Sequence, residues 1–142
     1  MIYTDTSALL KRYLHEHASD DFDALFMSQG PLSTSRLGIL EARCSLARRR
    51  RNRQIDKTTE SKAAGELLND IRDGALVLHT VSDTHYSAAY DLIETLATTP
   101  LRSLDAIHLA IAQEVRASAF ATADKIQADA AEALGFTVHR FY

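Results

Sequence analysis

The sequence predicts an α/β fold in which a mostly parallel sheet is covered by helices on both faces. Short apolar segments typical of buried strands alternate with longer segments whose apolar residues recur every three or four positions. This alternation favours parallel strands joined by helical crossovers. The 142 residues match one domain, and the 46% hydrophobic content is enough for a sizeable core.

A strand-to-helix step opens the chain, and a second helix and a second strand follow it. Residues 1–4 form a short apolar strand segment, and residues 7–16 carry leucines and a tyrosine at helical spacing. Residues 20–27 predict a second short helix, which the sequence QGP at residues 29–31 ends. Residues 32–35 then give a second, weaker strand signal.

A long amphipathic helix and its partner occupy the middle of the chain. Within residues 36–53, apolar side chains recur at intervals of three or four, which predicts a buried face. That face consists of Leu37, Leu40, Cys44 and Ala47. We therefore expect Cys44 to be a small core residue. Residues 58–72 predict a helix that folds back on the first.

The second half of the chain continues the alternation. In order, its predicted elements are a strand at 75–81 (ALVLHTV), a cap at 82–84, helices at 86–96 and 103–115, a strand at 118–122, a helix at 125–134 and a strand at 136–141. Gly135 supplies the stop after the last helix. We detect no repeat or linker, which indicates a single domain over residues 1–142.

Composition narrows the classes of protein. Sixteen basic and nineteen acidic residues give a formal charge of -3, so the net charge implies no partner. Cys44 is the only cysteine, which excludes internal disulfides and multi-cysteine zinc sites and fits a reducing cytoplasm. Asp5 lies where a secretory signal needs apolar residues, and no segment approaches the ~20 apolar residues of a membrane span. We expect a cytoplasmic protein without a membrane partner.

Four acidic residues lie beside core-like sequence. Asp5 and Asp124 follow predicted strands, and open parallel sheets place their sites at the carboxyl ends of strands. Glu41 and Asp105 interrupt the helical segments LGILEARCSLA and SLDAIHLAIA. Each aspartate alone also fits a helix cap or a favourable charge in a first helical turn. Spacing leaves both interpretations open.

If these carboxylates converge, they require a cation. Their charges repel one another, and burial adds a desolvation cost for each. A nearly all-carboxylate set suits a hard divalent cation, Mg²⁺ or Mn²⁺, whereas zinc more usually recruits histidine or cysteine.

Four segments, in this order, resemble the PIN domain family and within it the VapC-type toxins of prokaryotic toxin–antitoxin pairs. They are YTDTSALLKRY (residues 3–13), STSRLGILEA (33–42), RSLDAIHLAIA (102–112) and FATADKIQADAAEALGF (120–136). The resemblance covers nearly the whole chain. It implies a PIN-like three-layer α/β/α sandwich with a central, mostly parallel sheet of four to five strands.

The resemblance also implies a site and an activity. The catalytic and metal-binding residues of the family pattern match Asp5, Glu41, Asp105 and Asp124. Accompanying hydroxyl positions match Ser7, Thr122 and, less closely, Ser35. The implied activity is a Mg²⁺- or Mn²⁺-dependent endoribonuclease that acts as a toxin. The implied partners are an RNA substrate, a second copy of the chain and a small antitoxin whose tail presents a basic side chain to the acidic pocket.

Six arginines fall within eleven residues, at positions 43, 48, 49, 50, 51 and 53. One interpretation is a phosphate-tracking arm for RNA, consisting of Arg48, Arg49, Arg50, Arg51 and Arg53. The other is a solvated helix end whose cations favour the C-terminal pole of the helix and pair with Glu60 or Glu66. The sequence favours neither.

Two other functions stay open. One is a catalytically silent PIN-like scaffold that binds RNA or protein. The other is a receiver-like phosphoacceptor domain, which also has an acidic pocket at strand ends. A receiver needs a lysine at a late strand end, and Lys125 is poorly placed for that role.

Several further side chains are expected to be structural. His108 lies one turn after Asp105, and we expect a packed or hydrogen-bonded histidine rather than a metal ligand. Tyr13, Phe22 and Phe26 are expected in the core, and a second interpretation places them at the border of an antitoxin groove.

Overall fold

The computed structural model describes residues 1–142 and contains five strands and seven helices. The strands are β1 (Ile2–Thr4), β2 (Leu32–Ser35), β3 (Leu76–His79), β4 (Ala119–Thr122) and β5 (Thr137–Arg140). The helices are α1 (Thr6–Tyr13), α2 (Ser19–Gln29), α3 (Arg36–Arg51), α4 (Lys57–Arg72), α5 (Asp83–Thr95), α6 (Ser103–Glu114) and α7 (Lys125–Ala133). The predicted alternation of strands and helices is confirmed.

The five strands form one sheet in the order β3-β2-β1-β4-β5, and all four pairings are parallel. Strand β1 is central, with Tyr3 opposite Ser33 on one side and Phe120 on the other. The chain first builds outwards from β1 to β3 and then returns to the far side of β1. The connections therefore switch direction between β1 and β4, which is where open α/β sheets place ligands.

Each face of the sheet is covered by its own core. Because neighbouring residues of a strand point to opposite faces, Ile2 packs with α1 to α4, whereas Tyr3 packs with α5 to α7. The Tyr3 and Phe120 rings stack with centroids 5.6 Å apart in the second core. These two layers of helices confirm the α/β/α sandwich. None of the helices has the length and apolar character needed to cross a bilayer.

Three helices begin where a strand ends, and each has a polar cap there. The amides of Ala8, Gly38 and Gln127 donate to Asp5, Ser35 and Asp124 at 2.9, 3.3 and 3.0 Å, respectively. Such caps satisfy amides that have no partner within the helix. The chain thereby places polar side chains along the carboxyl edge of the sheet.

The first helix is shorter than its apolar spacing predicts. It ends at Tyr13 instead of continuing to Glu16, because Leu14 takes an extended conformation with φ -128° and ψ 122°. The hydroxyl of Ser19 holds this turn: it donates to the Leu14 carbonyl at 3.0 Å and accepts from the Glu16 amide at 2.9 Å. Burial of Leu14 and this side-chain bond outweigh the helical spacing.

The predicted buried face of the third helix is wrong. The residues of α3 that are buried are Gly38, Ala42, Ser45 and Leu46. Leu40 is 66% exposed and Cys44 is exposed, so Cys44 is not a core residue. Small residues on the other face let the helix approach the sheet closely. Of the predicted face, Leu37, Leu40 and Cys44 line a cavity and Ala47 does not.

Candidate active site

A cavity of about 900 Å³ opens at the carboxyl edge of the sheet. The four acidic residues predicted from the sequence, Asp5, Glu41, Asp105 and Asp124, all line it. Asp5 follows β1 and Asp124 follows β4, so these two flank the point at which the connections switch. Glu41 comes from the second turn of α3, and Asp105 from the first turn of α6.

Asp5 is the most deeply buried of the four acidic residues, with 3% of its surface exposed. Its carboxylate accepts the Ala8 amide, the Ser7 hydroxyl and the Thr122 hydroxyl, the last at 2.7 Å. Burial raises the pKa of Asp5, and these hydrogen bonds oppose that effect only in part. Asp5 is therefore both a helix cap and a cavity-lining carboxylate.

Ser7 and Thr122 connect Asp5 to the loop that carries Asp124. The Ser7 hydroxyl accepts from the Ala123 amide at 2.8 Å, and the Thr122 hydroxyl accepts from the Asp124 amide at 3.0 Å. Both hydroxyls donate to Asp5 at the same time. They hold the ends of β1 and β4 in register at the cavity.

Glu41 is held from inside the protein by two donors. Its Oε1 accepts from Nε2 of His108 at 2.5 Å and from the Thr6 hydroxyl at 2.9 Å. Partial burial raises the pKa of Glu41, but the bonds from His108 and Thr6 outweigh it, so the pKa lies below its usual value. Glu41 is consequently ionised at neutral pH. His108 is 1% exposed and hydrogen-bonded, in agreement with its prediction.

Arg102 bridges the other two carboxylates. Its Nε lies 3.0 Å from Asp105 Oδ2, and its Nη2 lies 3.4 Å from Asp124 Oδ2. Burial raises the pKa of Asp105, Arg102 opposes this, and the charge of Asp124 raises it further. One guanidinium thus partly neutralises two neighbouring carboxylates.

The donor set fits a hard cation, although the side chains are not arranged around one. No three of the His, Cys, Asp and Glu residues form a group that would hold a metal ion as they stand. Two features nevertheless fit a cation. Glu41 Oε2 has no hydrogen-bond partner in the protein, and Asp105 and Asp124 already accommodate a positive group between them. A divalent cation bound through the Oδ2 atoms of these two aspartates would replace the guanidinium of Arg102.

The arginine run divides into three groups. Arg48 and Arg49 line the acidic cavity, and Arg49 also pairs with Glu16 at 2.8 Å. Arg43 and Arg50 pair with the buried Glu60 at 2.9 and 2.5 Å, as the helix-end interpretation predicted. The exposed Arg51 and Arg53 make no ion pair and lie outside the cavity. Glu66 pairs with Lys62 and with no arginine.

Other predicted residues have structural positions. Ser35 caps α3 and does not line the cavity. Tyr13, Phe22 and Phe26 are no more than 8% exposed, as expected of core residues. Of the three, Tyr13 lines a cavity, which lies beside the acidic one and shares Arg48 and Arg49 with it.

Sequence reasoning missed Arg102, Thr6 and Tyr3. The only signal for Arg102 was its position three residues before Asp105, a spacing that brings side chains together at a helix start. Thr6 and Tyr3 gave no signal, since their contacts are with residues distant in sequence.

The fold and the cavity define a class of protein, an open parallel α/β domain with carboxylates at its switch point. The family model of the PIN domain matches residues 2–133. The chain therefore belongs to the PIN domain family, which confirms the resemblance read from its four segments and replaces the receiver-like alternative.

Solved structures share this fold. The toxin VapC20 of Mycobacterium tuberculosis, described as cleaving the sarcin–ricin loop, matches with a TM-score of 0.74 and 18% identity over 96% of this chain and 97% of its own. FitAcB from Neisseria gonorrhoeae matches with a TM-score of 0.68 and 16% identity, covering 97% and 96%. A toxin–antitoxin complex from Klebsiella pneumoniae has a TM-score of 0.60 and 16% identity, covering 87% of each chain. No curated protein sequence matches the chain.

Proposed function

We propose that this protein is a Mg²⁺- or Mn²⁺-dependent endoribonuclease and the toxin of a toxin–antitoxin pair. The observation that carries the proposal is that four carboxylates line one cavity, two of them following β1 and β4 and two lying on α3 and α6. Membership in the PIN domain family and the likeness in fold to toxins support the same activity.

In this proposal Asp5, Glu41, Asp105 and Asp124 hold the cation. A divalent cation bound there would lower the pKa of an attacking water and neutralise charge that develops on the phosphodiester. Ser7 and Thr122 keep Asp5 and the loop of Asp124 at a fixed separation. The protein then needs no nucleophilic side chain of its own.

Asp105 or Asp124 would hold the attacking water or accept its proton. Both line the cavity, and the guanidinium of Arg102 lies 3.0 and 3.4 Å from their Oδ2 atoms. The oxygens of Asp5 already accept hydrogen bonds from three groups, so Asp5 is less suited to this role.

RNA is the proposed substrate because cationic side chains share the cavity with the carboxylates. Lys11, Arg48, Arg49 and Arg102 all line it. Phosphate groups that approach the acidic residues would pass these cations, which contribute a salt-dependent share of affinity. Arg51 and Arg53 lie outside the cavity, so we expect no contribution from them to this affinity.

We further propose two protein partners. One is a small antitoxin that presents a basic side chain to the acidic cavity, in the place that Arg102 occupies between Asp105 and Asp124. The other is a second copy of the chain. Light scattering on the purified protein tests the dimer, for which we expect twice the mass of one chain.

Cleavage of a structured RNA by the purified protein tests the activity. With Mn²⁺ or Mg²⁺ present, we expect endonucleolytic cuts that EDTA abolishes. Asp5→Asn should remove the activity, whereas the matched change Asp91→Asn, at an exposed aspartate on α5, should retain it. If the wild-type protein binds RNA but does not cut it with either cation present, the silent scaffold is the correct function. If Asp5→Asn cuts RNA at the wild-type rate, the assignment of the site is wrong.

A further inference from the structure

His108 is a buried polar residue that connects the core to the acidic cavity. It lies on α6 with 1% of its surface exposed, and both of its ring nitrogens have partners. Nδ1 lies 2.8 Å from the Tyr3 hydroxyl, and Nε2 lies 2.5 Å from Glu41 Oε1. Since an ionised carboxylate cannot donate, Nε2 carries the proton that Glu41 accepts. In the neutral ring, Tyr3 then donates to Nδ1.

The contacts of Glu41 are asymmetric. His108 and Thr6 both donate to Oε1, and Oε2 has no partner in the protein. A carboxylate fixed through one oxygen has lost most of its rotational freedom, so its second oxygen is available in one orientation. That oxygen belongs to a residue that lines the cavity.

A glycine on α3, Gly38, lies beside His108 and makes the contact between Glu41 and His108 possible. A Cβ at Gly38 would lie 2.5 Å from the Thr34 hydroxyl and 3.4 Å from Cε1 of His108. Without a side chain at this position, α3 approaches β2 and α6 closely. Glu41, one turn further along α3, then reaches the ring of His108.

We propose that His108 is a positioning residue that orients Glu41 for the cation. The inference rests on the proposed function, because orientation of Glu41 has a consequence only if Glu41 binds a cation. Tyr3 is the second member of the same chain of contacts, since its hydroxyl fixes the tautomer and tilt of the ring. Burial raises the pKa of Tyr3, so its hydroxyl keeps the proton that it donates.

A simple core role for His108 makes a different prediction. If the ring only fills space, a phenylalanine of similar size should preserve every property of the cavity. If the Nε2–H donor matters, glutamine should preserve them, since its amide nitrogen can reach nearly the same position. The two substitutions therefore separate packing from hydrogen bonding.

Mn²⁺ binding to the purified protein, measured by calorimetry, tests the inference. We expect His108→Phe to weaken binding by ~10- to 100-fold, the range seen when a ligand loses its orienting partner. His108→Gln should remain within about threefold of wild type, a difference of less than one hydrogen bond. Tyr3→Phe should cause a smaller loss than His108→Phe. In RNA cleavage, kcat should fall while KM for RNA changes little.

The loss of Mn²⁺ affinity caused by His108→Phe should disappear when Glu41 can no longer act as a charged ligand. In the Glu41→Gln background, which keeps three carboxylates, His108→Phe should cause no further loss, because His108 acts through Glu41. Circular dichroism in EDTA shows whether each variant is folded. If His108→Phe is unfolded, Tyr3→Phe alone and combined with Glu41→Gln provides the same comparison.

The outcomes distinguish the inference from the proposed function. If wild type does not bind Mn²⁺, the proposed function fails and the inference fails with it. If wild type binds Mn²⁺ but folded His108→Phe binds equally well, only the inference is wrong. The inference is also wrong if glutamine and phenylalanine weaken binding equally, since packing would then be the cause. If Glu41→Gln itself abolishes Mn²⁺ binding, the comparison of His108→Gln with His108→Phe decides whether the inference holds.

Discussion

Arg102 stands between two carboxylates that a divalent cation would use, so Arg102→Gln should strengthen cation binding. The guanidinium pairs with Asp105 and Asp124 at 3.0 and 3.4 Å, and its side chain is 75% exposed. Exposed pairs contribute about 0.2–1 kcal/mol each, so displacing both costs roughly 0.4–2 kcal/mol. Since 1.4 kcal/mol is a factor of ten, Mn²⁺ should bind about 2- to 30-fold more tightly without Arg102.

Calorimetric titration with Mn²⁺ at pH 8 measures this effect. Alkaline pH is chosen because Arg102 opposes the raised pKa of Asp105, and without it protons would compete more strongly at low pH. The matched control is Arg140→Gln, which removes an equal charge and a 2.7 Å ion pair with Glu132 outside the cavity. The difference in Mn²⁺ affinity between Arg102→Gln and Arg140→Gln should become smaller at high salt.

Two results would refute this reasoning. If Arg102→Gln binds Mn²⁺ no more tightly than Arg140→Gln, Arg102 does not compete with the cation. If both variants bind more tightly than wild type by the same factor, net charge rather than the bridge is responsible. The concentration of Mn²⁺ that half-saturates RNA cleavage should fall by the factor measured in the titration.

Three further predictions concern stability and RNA affinity. Asp5→Asn should lose at least ~100-fold in RNA cleavage. In urea at pH 7 it should unfold no more readily than wild type, because the raised pKa of Asp5 means that ionisation of this carboxyl destabilises the folded protein as pH rises. Any stability that asparagine adds should therefore shrink at acidic pH. In thermal unfolding at pH 7, Glu60→Gln should be less stable than wild type, because the hydrogen bond from Arg43 and the charge of Arg50 lower the pKa of Glu60. This deficit should shrink as pH falls below the usual glutamate pKa and vanish below the lowered pKa of Glu60 in the folded protein. Arg48→Gln should weaken RNA binding and reduce the salt slope by about one, whereas Arg51→Gln, on the same helix but outside the cavity, should change neither in a filter-binding titration.

Most of the fold could be predicted from the sequence because short apolar strands and amphipathic helices differ in period. The errors fall where tertiary contacts overrule local pattern. Leu14 leaves the helical conformation because it is buried and its carbonyl is bonded by Ser19. The stripe that includes Leu40 and Cys44 has the right period for a core face, yet Gly38 and Ala42 allow the opposite face to pack. Periodicity identifies a helix more securely than it identifies the neighbour of each face.

The four acidic residues could be predicted from strand ends and family resemblance, but their partners could not. The Tyr3–His108 bond joins residues 105 apart in the sequence, and the His108–Glu41 bond joins residues 67 apart. Neither spacing carries a local signal. Arg102 is closer, three residues from Asp105, but its contact with Asp124 depends on how α6 approaches the end of β4.

The helix-cap and catalytic interpretations of Asp5 and Asp124 do not exclude each other, and the topology explains why. In a parallel sheet the helix that follows each strand begins at the carboxyl edge, so a residue that caps such a helix lies at the edge where ligands bind. The same carboxylate can accept a helix amide through one oxygen and still line the cavity, as both aspartates do. Alanine at either position would remove the cap together with the charge, at about 0.5–2 kcal/mol of stability. Asparagine keeps a cap through one oxygen and removes the charge, but at position 5 its amide nitrogen replaces the oxygen that accepts the Thr122 hydroxyl. It therefore disturbs the fold less than alanine does while it removes the proposed chemistry.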